Sequence, residues 1–595
     1  MKKILITVLI ITGFAACKKS SDFLDGQAIA LDENAVFTDS ARTMAFLTGI
    51  YSDIAFSFTK GRWSTHGNTE HATDDAEYNF SGTGQGAVIL YNGSISPTAY
   101  AGQTALLDFW NTPYANIRRA NLMLQKLPTT PLTADLQTRV KGETRFLRAW
   151  YYAQLMICYG GVPVVGDNVY GKDDIINLPR TTFANTVKYI TDELDAAATL
   201  LPTDYTNSLD FGRITKGACM ALKSRVLLYA ASPLFNGGAI TADAGLAPLV
   251  SYPTANTSYW QAAADAANAV INSNQYALYV DSTTAAGYGF YNVFLQRSLL
   301  PAFKDEYIFG YYRPANRDME GYYNPPTRGG AKYSMATQDL VDAFPMKNGL
   351  QPFNSDGSVN VASGYNPANP YVNRDPRFNY SIIYNGALYF STTTNNKQPV
   401  WTFVNGTGTI PAPTQTSDAY GVGTTTGYFA RKMCDENISA NSSANTNRAW
   451  PLIRYAEILL NYAEAINETG QTALAYPKLI ELRRRAGIDR GADGLYGLKA
   501  NMTQAEMREA VRNERRVELA FEDHRWHDIR RWKIAMTVSN QFNKVMQVVK
   551  NSNGTFTYNR LESIRRHNFR PEMYLLPIPD PEIQKMPAMR QNPGW

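Results

Sequence analysis

The chain has 595 residues, 44% of them hydrophobic and 18% charged, with a net charge of +5. That composition builds a large globular core and excludes a disordered chain. So weak a charge excludes a nucleic-acid partner or an anionic surface held by charge alone. The four cysteines are too few and too scattered for a disulfide framework, and after Cys17 only Cys158, Cys219 and Cys434 remain.

In chain order, residues 1–16 read as a secretory signal: Lys2 and Lys3, the apolar run Ile4 to Ile11, then Phe14-Ala15-Ala16 before Cys17. The apolar run is too short to span a bilayer. Small residues directly before a cysteine resemble the lipobox of bacterial lipoproteins, in which Cys17 is acylated and becomes the mature N-terminus. Helices are expected over 106–127 and 136–159, the second stopped by Gly160-Gly161 with Pro163 beyond. Others follow over 182–200, 216–234 and 259–271. Between about 282 and 447, Gly, Asn, Thr, Ser and Pro dominate and no helical period survives, so short strands and long loops are expected, with a strand over 307–310. Helices return over 452–469, 472–485 and 503–538, followed by an irregular terminal segment. The pair 452–485 has the look of one tetratricopeptide unit, with Ala463 and Ala475 twelve apart and Gly470 at the turn. Pro477 is awkward inside such a helix.

Several separated segments carry a family resemblance: Phe23-Leu24-Asp25 after the lipobox, WNTPYANIRRAN at 110–121, RFLRAWYYAQLMICYGGVP at 145–163 and GRITKGACMALKSRVLLYAASPLFN at 212–236. The second half adds TQDLVDAFPMKNG at 337–349, NRDPRF at 373–378, RYAEILLNYAEAINE at 454–468, ERRVELAFEDHRWHDIRRWK at 514–533 and the terminus 575–595. Together they resemble the SusD/RagB lipoproteins of Bacteroidota. The resemblance implies a mainly α fold, a tetratricopeptide-like helical-hairpin scaffold of about eight helices with a loop-rich irregular segment containing short strands. It implies an N-terminal helical region over 17–281 and a C-terminal region over 282–595. It also implies a non-catalytic, cofactor-free protein, lipid-anchored to the outer membrane and exposed at the cell surface. Such a protein captures oligosaccharides or polysaccharide fragments for a TonB-dependent, SusC-like transporter. Lys18 to Asp22 match the acidic export signal of such lipoproteins only in part.

A sugar ring has apolar CH faces and a rim of hydroxyls, so its binding needs aromatic platforms beside polar side chains. Tyr outnumbers Phe 37 to 26, with 9 Trp besides, which suits half-wet surfaces of this kind. The loops over 62–100 supply Trp63, Asp75, Tyr78 and Tyr91; those after the 307–310 strand supply Tyr311, Arg313, Tyr322, Tyr323 and Asn324. Trp63, Tyr91, Tyr322 and Tyr323 are the expected platforms of one shallow, solvent-facing site, with Asp75, Arg313 and Asn324 as hydrogen-bonding partners. Any one of these aromatics could equally pack a loop. Catalytic signatures are weak. His524 and His527 lack the His-Glu-x-x-His order of a metalloprotease, and the alternating Arg515, Glu518, Glu522, Arg525, Asp528 and Arg531 suit one helix laced by ion pairs three or four apart. Gly82 to Gly86 lacks the strand, helix and lysine of a nucleotide loop. A peptide or other nutrient on the same fold, or a lipid-anchored glycoside hydrolase using carboxylates such as Asp74 and Asp75, are the competing functions.

Overall fold

The computed structural model describes residues 33–56, 67–79, 86–98, 109–295, 305–410, 417–436 and 446–595, apart from positions 172, 239, 282, 392 and 395. The signal segment, the lipidation site Cys17 and Trp63 lie outside the described residues. Among the described residues the protein is mainly helical, with short strands and loops. The principal helices are α1 (Ser40–Tyr51), α2 (Asn111–Lys126), α3 (Ala134–Tyr159), α4 (Phe183–Ala198), α5 (Lys216–Ala231), α6 (Ser258–Asn272), α7 (Tyr455–Glu468), α8 (Tyr476–Ala486), α9 (Gln504–Glu518) and α10 (Arg525–Arg531). Each helix from α1 to α7 packs on the next, and α7 then carries α8 and α9.

Local chemistry sets where these helices begin and end. Thr133, Thr182 and Thr215 each accept a hydrogen bond from the backbone three residues on, capping α3, α4 and α5. Thr503 and Glu506 form a reciprocal capping box on α9. Gly160, at φ +79°, ends α3 in a conformation a side chain would strain. Pro477 causes no kink, because Thr472–Leu474 is a separate 3-10 turn and Pro477 lies in the first turn of α8, where its missing N–H costs nothing. From Phe146 to Tyr159, α3 is buried on every face. No helix among the described residues is long and apolar enough to cross a membrane.

The second half differs from the expected pattern in two places. The helix expected over 503–538 is broken after Glu518: Phe521 and Asp523 take positive φ (62° and 65°), the chain turns, and α10 starts afresh. The alternating charges therefore do not form a ladder along one helix. Arg515 bonds Asp528 at 2.8 Å across the turn, and Glu518 takes Arg377 at 2.8 Å, Arg454 at 2.7 Å and Arg485. Glu522 takes Lys432 and Arg454, each at 2.7 Å. Of the series only Asp528 and Arg531 pair at helical spacing. These groups are buried, so they are partners by tertiary contact and not a solvated face.

The terminal segment is also more regular than expected. The strands that bear on function are β1 (Ala76–Tyr78), β2 (Tyr307–Asn316), β3 (Ser334–Ala336), β4 (Thr446–Arg454), β5 (Phe542–Lys550) and β6 (Phe556–Arg566). β5 and β6 form a long antiparallel hairpin, β2 pairs antiparallel with β4, and β1 with β3. β2 rests on α3 through Phe309, whose ring meets Phe146 at 5.0 Å and Trp150 at 5.2 Å. Aromatic burial of this kind contributes roughly 1.5–3 kcal/mol per side chain, and it fixes β2 to the helical half.

Candidate ligand-binding face

The β1–β3 pair joins the two loop regions, with Ala76 opposite Ala336 and Tyr78 opposite Ser334. The segment before β1 is tied down by His71. Its Nδ1 accepts from the Asn68 N–H at 3.0 Å, which leaves Nε2 to donate to Ser334 Oγ at 3.0 Å. Burial and the Arg565 charge lower the His71 pKa to about 3, so the ring is neutral and this tautomer is fixed. After the short helix Asp318–Tyr323 the chain doubles back, and Tyr333 N–H donates to the Tyr322 carbonyl at 2.8 Å. The return lays the Tyr333 ring between two others. Its centroid is 5.6 Å from Tyr78 and 5.8 Å from Tyr322, with interplanar angles of 28° and 29°. Tyr78 is buried, against His71 at 5.3 Å, while Tyr322 and Tyr333 are half-buried. The result is a three-tyrosine ladder, buried at its Tyr78 end and half-buried at Tyr333 and Tyr322.

Of the candidate residues, Tyr78 and Tyr322 are thus brought together, through Tyr333. Tyr311 and Arg313 form a second group around Trp450 on β4: the Tyr311 ring stacks at 5.8 Å and the Arg313 guanidinium lies 5.7 Å away while pairing with Asp318 at 3.2 Å. Tyr91 stands elsewhere, on the short helix Gly86–Tyr91, stacked on His567 at 5.2 Å.

Besides Tyr78, three candidates do not face solvent. Asp75 is fully buried and accepts from Arg516 Nε at 2.6 Å, beside Asp74, which takes Arg525 at 2.8 and 2.7 Å. Burial raises both carboxyls; at Asp74 the Arg516 and Arg525 charges overcome it and hold the group well below the carboxylate range, while Asp75 stays raised. The pair clamps this loop to α9 and α10. Tyr323, 3% exposed, accepts at its hydroxyl from Asn68 Nδ2 at 3.3 Å. Asn324, fully buried, accepts from the Tyr389 hydroxyl at 3.1 Å. In a helix turn, adjacent residues point apart, so Tyr323 goes inward because Tyr322 goes outward.

Tyr333 and Trp450 were missing from the candidates. Tyr333 follows the Gly329-Gly330 turn and was within reach of composition alone; Trp450 sits in the run Arg448-Ala449-Trp450-Pro451, whose strand character the preceding loop obscures. Among the described residues no group of three or more His, Cys, Asp or Glu is placed to hold a metal ion. His524 is buried with its Nδ1 3.2 Å from Arg515, and burial and that charge hold it well below the usual histidine pKa. Cys158, Cys219 and Cys434 are buried and form no disulfide among the described residues.

A model of the SusD family matches residues 302–595, and a model described as starch-binding, associating with the outer membrane, matches residues 31–228. SusD-like protein P38 of Formosa agariphila is 25% identical over 477 residues, covering 77% of this chain and 78% of that protein. SusD-like protein P2 of the same organism is 31% identical over 171 residues, which are 28% of this chain and only 30% of that protein. Among solved structures, a SusD-like protein of Bacteroides fragilis superposes with a TM-score of 0.73 at 24% identity, covering 94% of this chain and 98% of its own. A laminarin binding SusD-like protein superposes with a TM-score of 0.59 at 20% identity, covering 94% and 100%. At these identities the structural likeness speaks for the fold alone.

Proposed function

Because the chain belongs to the SusD/RagB family, we propose that it is a non-catalytic lipoprotein that captures oligosaccharides or polysaccharide fragments at the cell surface. In this reading Cys17 carries the lipid, the outer membrane holds the anchor, and a SusC-like TonB-dependent transporter receives the glycan. The run of helices α1 to α9, each packed on its neighbour, supports a tetratricopeptide-like scaffold on which the loops are mounted.

The observation that carries the binding reading is the Tyr78–Tyr333–Tyr322 ladder. The half-buried Tyr322 at the end of the ladder and the half-buried Tyr333 edge beside it present apolar ring surface to sugar CH groups beside polar hydroxyls. They are also held by a strand pair and a backbone turn, so little ordering entropy is lost on binding.

The test is isothermal calorimetry and affinity electrophoresis against soluble polysaccharides, beginning with laminarin, using wild type, Tyr322→Ala and Tyr333→Ala. A polysaccharide that retards wild type and not the variants, with circular dichroism unchanged, supports the reading. If the wild type binds a glycan and both variants bind it equally well, the ladder is not the site. Binding of peptides and of no glycan would replace the cargo class while keeping the fold.

A further inference from the structure

A cleft of about 330 Å³ lies where the helical half meets β2, on the other side of that strand from Tyr311 and Arg313. Side chains alternate along a strand, so Tyr312 points away from the Trp450 group and into this cleft. Its ring meets Phe211 edge-on at 5.0 Å. Gly212 and Gly310 press on it from the backbone: a Cβ at either position would fall 2.6 Å or 3.1 Å from the ring. Gly212 also holds a φ of +85°, so no other residue fits there without strain. Two further rings are fixed in the wall. The Tyr205 hydroxyl donates to the Ile214 carbonyl at 2.9 Å, and the Tyr276 hydroxyl lies 3.4 Å from Thr215 Oγ1, over a Gly217 that a Cβ would close. The rings are thus locked in place by the fold before any ligand arrives.

The rim is polar. Asp204, Gln275 and Asp305 are exposed there, and Arg213, the one guanidinium among the described lining residues, is engaged by Glu143 at 3.0 Å and Asp210 at 3.1 Å. Among the described residues of its lining, the cleft therefore offers carboxylate and amide acceptors to hydroxyl donors, while its guanidinium is already paired. Fixed aromatic walls with an acceptor-rich rim match the two halves of a sugar's chemistry. The volume lies at the lower end for small-ligand pockets, room for about one or two pyranose rings and not for a polymer laid along a surface.

We propose that this cleft is a second carbohydrate site, separate from the tyrosine ladder, which takes a neutral monosaccharide, disaccharide or chain end. The proposal rests on the carbohydrate-binding reading above. Its test is saturation-transfer NMR on the mature chain with glucose, galactose, mannose, xylose and glucuronate, each well above the about 1 mM dissociation constant of weak binders. Thr203→Trp plugs the mouth from an exposed position, and Gln275→Ala removes a rim group without touching the core. We expect transfer to at least one neutral sugar and none to glucuronate. That signal falls at least about fivefold in Thr203→Trp, falls measurably in Gln275→Ala and survives in Tyr322→Ala. Absence of transfer to every neutral sugar, preference for glucuronate, or a signal unchanged in both cleft variants overturns the proposal. Polysaccharide retention measured in parallel separates the two sites: loss only in Tyr322→Ala with no monosaccharide signal sinks the cleft and leaves the ladder standing.

Discussion

Two regions rich in polar and aromatic residues face opposite ways energetically. Around α9 and α10, charged side chains are sunk into the core, where Glu518 pairs with Arg454, Arg377 and Arg485. Around Tyr322 and Tyr333 the rings are only half-buried and stack on one another. In sequence both look like functional clusters. The difference is completeness: a group whose partners all come from its own chain has nothing left for a ligand, whereas an aromatic face with its back packed and its front open does. Asp74, held by Arg516 and Arg525, belongs to the first kind, although it lies only four residues from Tyr78.

The largest expected effect breaks the first region. Glu518→Ala removes a carboxylate shared by three buried guanidinium groups, each of which keeps another carboxylate partner, and losing one member of such a network costs up to about 3–5 kcal/mol. Urea denaturation should therefore show a drop of that order, or no cooperative transition at all; an unchanged midpoint would mean that the network is not the buried scaffold it looks like. Its pH dependence follows the same logic. Burial raises the Glu518 and Glu464 carboxyls, but their arginine partners outweigh it and hold both below the usual glutamate value of 4.5. A depressed folded pKa means that this stabilisation is present above pH 4.5 and is lost as pH falls through the folded pKa. Asp339 has the opposite sign. Burial lifts it to about 6 against an ordinary 3.8, so folding binds a proton between those values and stability from this group falls as pH rises from about 3.8 to 6. Asp339→Asn keeps an acceptor for the Lys544 N–H, bonded at 2.5 Å, and should stabilise by about 1–3 kcal/mol at pH 7. That gain should shrink towards pH 4, as followed by melting curves across the range.

Next in size is the contrast between clamp and ladder. Asp74→Asn should lower the melting temperature more than Asp75→Asn, because Asp74 carries the two-pronged Arg525 bond and the depressed pKa. Neither should alter glycan affinity in the protein that remains folded. Tyr322→Ala should do the reverse, losing about 1–3 kcal/mol of binding, by analogy with stacked bases, and under about 1 kcal/mol of stability. Weakened binding in Asp75→Asn at a temperature where it is fully folded would put the carboxylate back in the site.

What could be read from the sequence depended on how local its cause was. The ends of α3, α4 and α5 are written in Thr133, Thr182, Thr215 and Gly160, each acting within four residues. The β5–β6 hairpin was equally local, with Asn553-Gly554 between two runs of strand-forming residues; the preceding helix period drew attention from it. The break after Glu518 is different, since Phe521 and Asp523 adopt positive φ without a glycine to announce it. In the site, composition pointed to the loops over 62–100 and 311–324 but not to which of their side chains are buried. Whether Tyr322 or Tyr323 meets solvent depends on the pairing of β1 with β3, more than two hundred and fifty residues apart in sequence, and nothing near either residue encodes that.

The smallest expected effect concerns Tyr91, a candidate by composition that the structure sets apart. Its ring is stacked on His567 at 5.2 Å, and its carbonyl accepts from the Asn568 N–H at 2.7 Å, so residue and backbone are both occupied in holding the 567–568 segment. The polar end is not the point of the residue. Burial, ahead of the opposing Arg565 charge, raises the Tyr91 hydroxyl pKa, so it stays neutral at any working pH and removing it removes no charge. Tyr91→Phe keeps the ring and should change neither melting temperature nor glycan affinity beyond error. Tyr91→Ala loses the stack and should cost about 0.5–1.5 kcal/mol of stability plus the lost burial, again without loss of affinity. Calorimetry on the two variants beside Tyr322→Ala decides the matter: a fall in affinity for Tyr91→Ala comparable with that for Tyr322→Ala would extend the binding face to the His567 side, and the ladder would then be one end of a longer aromatic track.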